Sequence, residues 1–265
     1  SADLRERQRE RLGRRLIPPV FELVEWLDAP PDETWNGVLF ANEVIDALPT
    51  PRFTLRDGEV FEEGVALDGE GRFVRTDRPA DALLSAAVRH VERYLDAPFP
   101  DGYRSELLPQ LPYWIQAVMG GLDKGVMLFA DYGYPRREFY QADRDDGTLR
   151  AYYRHRVHND AYLWPGLQDI TASVDFTALA EAGTNAGFDL AGYTTQANFL
   201  LGNGLQERLD EAQARADEAT LLRLRNEAKR LTLPSEMGER FQMMGFSRDV
   251  EFGAAFLFND LSWRL

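Results

Sequence analysis

The stretch Gly37–Pro49, Gly-Val-Leu-Phe-Ala-Asn-Glu-Val-Ile-Asp-Ala-Leu-Pro, constrains the fold more than any other part of the chain. Val38, Leu39, Phe40 and Ala41 form a short apolar run with no polar alternation. Such a run fits a strand buried on both faces, as in a parallel sheet. Asn42, Glu43 and Asp46 follow at once. In open α/β sheets, ligands sit beyond the carboxyl ends of the strands, so these three residues stand where chemistry is usually done. Two readings stand side by side: Asn42 and Asp46 cap the next turn, or they belong to a site.

Elsewhere the periodicity switches between helix and strand. Leu4, Gln8, Leu12 and Leu16 recur at fourfold spacing and predict a helix over 4–17. Glu6 and Glu10 interleave its arginines, which reads as a solvated face rather than a nucleic-acid arm. Pro18 and Pro19 stop the helix, and Val20–Trp26 alternates as a strand does. Residues 51–76 predict two hairpins, turning at Asp57-Gly58 and at Asp68–Gly71, as an antiparallel insertion on a parallel core. Residues 80–95 and 111–122 predict helices, the second ended at Gly120-Gly121, and Gly125–Ala130 predicts a second buried strand. Residues 135–172 are polar and lack periodicity; a loop of that length is functional or disordered. Tyr140, Tyr152, Tyr153, Tyr162 and Trp164 argue against disorder. Phe176–Ala186 predicts a helix, Leu190–Tyr193 a short strand, 204–231 one or two charged helices, and Phe252–Phe258 a late strand.

Composition narrows the function classes. The chain has no cysteine, hence no disulfide, thiolate metal site or cysteine nucleophile. No apolar run approaches membrane-spanning length. The net charge of −14 repels nucleic acid and favours cationic partners. His155 and His158 stand three apart near Asp160, but Arg154 and Arg156 flank the first and oppose a cation, so no metal is expected.

Asn42–Pro49 resembles the signature of the MidA-like S-adenosylmethionine-dependent methyltransferases, relatives of the protein arginine methyltransferase of mitochondrial complex I assembly. The likeness continues in register through Asp131-Tyr132-Gly133-Tyr134, Gly147-Thr148-Leu149 with His155, and Pro165-Gly166. It runs on through Asp169-Ile170-Thr171-Ala172, Val174-Asp175-Phe176, Thr195-Gln196, Phe199-Leu200 and Pro234-Ser235-Glu236-Met237-Gly238-Glu239.

The resemblance implies an α/β fold, the Rossmann-like sheet of class I methyltransferases, with strand order three, two, one, four, five, seven, six. Val20–Trp26 would be strand three, Val38–Ala41 strand four and Gly125–Ala130 strand five. The family's glycine-rich loop and its ribose-binding acid are not seen, and Ser1–Arg5 resembles the segment just after that acid. The expectation is one methyltransferase domain over 1–265, truncated at its amino end and missing the first two strands, with insertions at about 50–100, 135–172 and 203–245. Such a chain would bind the cofactor poorly and be inactive alone.

The implied reaction is methyl transfer from S-adenosylmethionine to an arginine of a protein substrate. Carboxylates pair with a guanidinium bidentately, which makes Glu43 and Asp46 the candidate catalytic residues and places Asn42 nearer the cofactor. Asp131, Tyr132, Tyr153, His155 and Asp169 are the candidate substrate contacts. Asp131 reads equally as a turn residue before Gly133, Asp169 with Thr171 as a cap, and His155 as a loop-ordering group. Residues 135–172 are expected to cover the crevice as a lid whose aromatics pack on the arginine; the rival is a flap packed away from it. Methyltransferases acting on base amino groups usually carry a polar residue, two prolines and an aromatic at this position, which Asn42-Glu43-Val44-Ile45 does not. The alternatives are a non-catalytic binding or assembly factor and a small-molecule methyltransferase. The expected partners are a protein substrate and no nucleic acid, with a homodimer left open. The expected location is the bacterial cytoplasm, or the mitochondrial matrix for eukaryotic relatives.

Overall fold

A computed structural model describes residues 2–154 and 156–265. Two amino-terminal helices, α1 (Ala2–Arg15) and α2 (Pro18–Phe21), bury no side chain fully. Pro18 opens α2 as well as ending α1, because the first turn of a helix has no acceptor for the N–H that proline lacks. Val20–Trp26 is therefore not a strand, which corrects the assignment of strand three. Its two rings are covered locally, while Leu23 is exposed: Phe21 meets Trp26 edge to face at 6.3 Å, and Arg9 lies over the Trp26 ring.

β1 (Trp35–Asn42) follows. Then β2 (Arg52–Arg56), β3 (Glu59–Leu67) and β4 (Phe73–Pro79) form both predicted hairpins. Asp57 and Gly58 take φ of 50° and 78°, as a two-residue turn requires. α3 (Ala82–Glu92) begins at Asp81, whose carboxylate accepts the Leu84 N–H. β5 (Arg104–Glu106) pairs with the free side of β2. Phe53, Leu55, Val88, Val91 and Tyr103 form the core under this second sheet. α4 (Leu111–Met119) ends at Gly120, and β6 (Leu122–Tyr134) is the longest strand.

After α5 (Arg136–Phe139) the polar stretch builds a small antiparallel sheet, with β7 (Arg150–Tyr153) between β8 (Arg156–His158) and β9 (Asp169–Thr171). Strands of three or four residues are too short to print an alternation in sequence. β10 (Val174–Asp175) leads into α6 (Phe176–Asn185), capped by Asp175, and then β11 (Asp189–Thr195). α7 (Gln196–Gly202), α8 (Leu205–Gln213), α9 (Glu218–Thr232) and β12 (Phe241–Arg248) complete the elements the site depends on. The predicted strand at Phe252–Phe258 is instead a 3-10 turn, Gly253–Phe256. Phe256 fills the space that Gly192 of β11 and Gly245 of β12 leave; a Cβ at either glycine would overlap its ring.

The central sheet runs β1-β6-β12-β11. β1 is parallel to β6, with Asn42 opposite Ala130, and β12 is antiparallel to both β6 and β11. One face buries Leu39, Met127, Phe129 and Met244 against Ile115 and Met119 of α4 and Leu179 of α6. On the other, Ala130 and Met243 pack against Phe256. Val38 and Phe40 are 69% and 62% exposed, which corrects the expectation that this run is buried on both faces. β1 is the outermost strand of this sheet, and among the described residues no layer covers that side of it. Because β12 runs against β6, one edge collects the ends of β1, β6 and β11 and the start of β12.

Candidate active site

At that edge the chain leaves β1 through a tight turn. The Glu43 N–H donates to the Ala130 carbonyl at 2.9 Å, and Glu43 itself takes φ of 51°, the left-handed region that few non-glycine residues adopt. The N–H groups of Val44, Ile45 and Asp46 then converge on one oxygen, Asp131 Oδ2, at 3.3, 3.1 and 3.3 Å. The other oxygen of Asp131 accepts the Tyr132 N–H at 3.0 Å. Ile45 anchors the turn in the main core. Burial raises the Asp131 carboxyl to about 7, and the neighbouring Asp46 charge adds to the rise against the backbone donors.

Asp46 is 5% exposed. Its Oδ2 accepts the Tyr132 hydroxyl at 2.7 Å, and its Oδ1 has no partner among the described residues. Burial moves this carboxyl upward too, opposed by the Tyr132 hydrogen bond. The Tyr132 hydroxyl is held well above its ordinary range by burial, and its ring meets Phe241 edge to face at 5.7 Å. Glu43 is exposed, and a single 3.3 Å contact from Asn42 Nδ2 touches its carboxylate.

These groups open into a cleft of about 1800 Å³. Glu43, Asp46 and Tyr132 line it together with Arg150, Tyr152, Asp169 and Thr171 of the small sheet. Thr195 and Asn198 enter from the end of β11, and Glu236, Glu239 and Gln242 from the start of β12. Of the predicted site residues, the fold brings Glu43, Asp46, Tyr132 and Asp169 to one cleft. Asn42 is exposed at the carboxyl end of β1, outside the lining. Asp131, 2% exposed, lies beneath the turn as its anchor, out of reach of a substrate. Asp169 is a strand residue paired with Tyr152, not a helix cap. Tyr153 turns away and packs on Trp164 at 4.4 Å, so Tyr152 is the aromatic this strand offers to the cleft. His155 lies outside the described residues. Sequence reading gave no site role to Tyr193, Glu236, Glu239 and Gln242, although the motif Pro234–Glu239 marked the second and third; the antiparallel entry of β12 beside β6 brings the last three here.

The root of the flap is tied down from below. Glu106 of β5, fully buried, accepts both the N–H and the hydroxyl of Thr148 at 2.5 Å. The Thr148 hydroxyl in turn accepts the Ser173 N–H at 2.9 Å. Gly147 takes φ of 70°, and a Cβ there would overlap the Glu106 carboxylate. Behind the rim, Arg136, 4% exposed, forms a bidentate pair with Glu181 at 2.7 and 2.6 Å and reaches Asp175 at 3.3 Å.

A sheet whose strand ends gather carboxylates in an open cleft defines an α/β protein built to work at its carboxyl edge. The chain belongs to the family described as putative S-adenosyl-L-methionine-dependent methyltransferases, whose model matches residues 1–194. It is 30% identical over 217 residues to the mitochondrial protein arginine methyltransferase NDUFAF7 of Danio rerio, covering 78% of this chain and 46% of that one. It is 32% identical over 210 residues to NDUFAF7 of Homo sapiens, covering 76% and 43%. The chain thus spans about half the length of the curated relatives it matches. A Burkholderia thailandensis protein solved bound to S-adenosyl-homocysteine superimposes with a TM-score of 0.88 at 40% identity, over all of this chain and 67% of that one.

S-adenosylmethionine is the cofactor of this family. Exposed Asn42, at the end of a strand with one side free among the described residues, would offer it an amide on one flank. Among the described residues no glycine-rich strand-to-helix turn meets that flank, the feature by which backbone usually approaches a cofactor's charged end.

Proposed function

We propose that this cleft presents an arginine side chain of a protein substrate for methylation by S-adenosylmethionine. The observation that carries the reading is the pair Glu43 and Asp46 at one strand end, the second buried with a free oxygen. A guanidinium offers N–H donors in a planar fork that two carboxylates can share. Asp46 Oδ1, without a partner among the described residues, would take one N–H, and the Tyr132 hydroxyl on Oδ2 supports the carboxylate in that orientation. Glu43, on the solvent side, meets the other half of the fork. Held so, the charge gathers on the bound side and the remaining nitrogen keeps its lone pair for attack. The cofactor would supply the methyl group on a sulfonium, whose C–S bond breaks as the N–C bond forms and which leaves as a neutral thioether. Glu43, on the solvent side, would take the proton that the methylated nitrogen releases. The cleft's size supports a peptide, since small-molecule pockets run to about 1,000 Å³. On the family resemblance, we extend the proposal to a subunit of respiratory complex I or its bacterial equivalent.

Glu43→Gln and Asp46→Asn in the intact protein test the assignment. Each is expected to lower kcat/KM for methylation by about a hundredfold or more, as loss of a charge-stabilising group does, with cofactor affinity within twofold of the wild type. Unchanged methylation in both variants would overturn it.

A further inference from the structure

The turn between α9 and β12 has no part in that reading, yet Glu236 and Glu239 line the same cleft. Its backbone is fixed from three sides. The N–H groups of Glu236 and Gly238 donate to the Leu233 carbonyl at 3.0 Å, that of Met237 to Arg230 at 3.1 Å, and the Gly238 carbonyl accepts the Ala197 N–H at 2.9 Å. Gly238 is buried where a Cβ would overlap the Thr232 carbonyl. The turn therefore presents the exposed Glu236 and Glu239 side chains from a rigid support, and neither has an ion-pair partner among the described residues.

A buried polar group marks this part of the cleft as built for a ligand. Gln242, 6% exposed, donates its amide to the Glu239 carbonyl at 2.7 Å and leaves Oε1 unpartnered. It lines the cleft, and such orphaned groups are rare inside proteins. None of the arginines lining the cleft forms an ion pair with Glu236 or Glu239 among the described residues. Arg264 pairs with Glu138, Arg144 is directed to the Glu138 and Phe139 carbonyls, and Arg154 lies over Tyr153. Arg144, Arg150, Arg154 and Arg240 keep their charge in the cleft, so the attraction for a cation is local to the two glutamates.

We infer that Glu236 and Glu239 form a second acidic wall that binds a basic residue flanking the target arginine, so that the substrate is a basic segment of a protein. The inference rests on the arginine reading above. The molecule's net charge of −14 draws such a segment in at long range.

Fluorescence anisotropy with short labelled peptides tests it. One peptide has a central arginine flanked by lysines, a second has alanines there, and a third carries citrulline for arginine between the lysines. At low salt the lysine-flanked peptide should bind roughly fivefold tighter than the alanine-flanked one, as two exposed ion pairs allow, and the preference should shrink as salt rises. Glu236→Gln with Glu239→Gln should abolish the preference and leave the alanine-flanked peptide's affinity unchanged, with an unaltered Tm showing that the fold is kept. A preference that survives the double variant, or no preference in the wild type, overturns the proposal. The citrulline peptide isolates the other failure. If it binds as well as its arginine counterpart while the flank preference still depends on the two glutamates, the arginine reading falls and the acidic wall stands.

Discussion

Asp131 shapes the site without entering it. Its two oxygens gather four backbone N–H groups, which bends the chain after β1 and delivers Asp46 to the cleft. With its carboxyl raised from 3.8 to about 7, the folded state keeps a proton between those pH values that the unfolded state has lost. Its contribution to stability is therefore fully present below about pH 4 and is lost as pH rises through about 7. A shift of that size corresponds to about 4 kcal/mol. Asp131→Asn should remove this slope: the stability of wild type relative to variant, from urea unfolding, should fall between pH 4 and 7. Parallel curves would show that Asp131 does not titrate in this way.

At the scale of elements, the flap of β7, β8 and β9 depends on the contact between Glu106 and Thr148. Gly147 lies in the left-handed region with no room for a side chain. Gly147→Ala should cost about 2 kcal/mol or more and speed proteolysis within 150–171 before the rest of the chain is cut. Cleavage no faster than in the wild type would argue against the tie. Pleating decides which flap tyrosine matters, because successive strand residues face opposite ways. Tyr152→Ala should weaken peptide binding by about threefold to tenfold, as loss of a cation–π contact does. Tyr153→Ala should act on flap stability through Trp164 instead. Equal losses of binding, with both flaps intact by proteolysis, would contradict this division.

For the molecule as a whole, the free side of β1 stands out. Val38 and Phe40 are exposed on a strand whose outer edge is unpaired among the described residues, an arrangement that invites edge-to-edge association. Phe40→Lys in the 265-residue chain should raise the concentration at which light scattering begins. No change in that threshold would place the association elsewhere. The same sheet sets the cleft, since β12 running against β6 carries Glu236, Glu239 and Gln242 to the edge where Glu43 and Asp46 emerge.

Local patterns sufficed for much of this. The apolar run ending at Asn42, the hairpin turn at Asp57-Gly58 and the helix ending at Gly120 are each set by a few adjacent residues. The carboxylates Glu43 and Asp46 were legible because they directly follow a strand, and a parallel sheet exposes its strand ends. Local readings failed where packing overrode pattern, as the exposure of Val38 and Phe40 on β1 already shows. Val20–Trp26 covers its rings within its own turn, Phe252–Phe258 is bent around the hole at Gly192 and Gly245, and Tyr153 is turned outward by the register of β7. The burial of Asp131 and the meeting of Glu236, Glu239 and Gln242 with residues almost two hundred positions earlier were decided by tertiary structure alone. Strand order and direction place residues in space, and the energies that select them come from contacts distant in the chain.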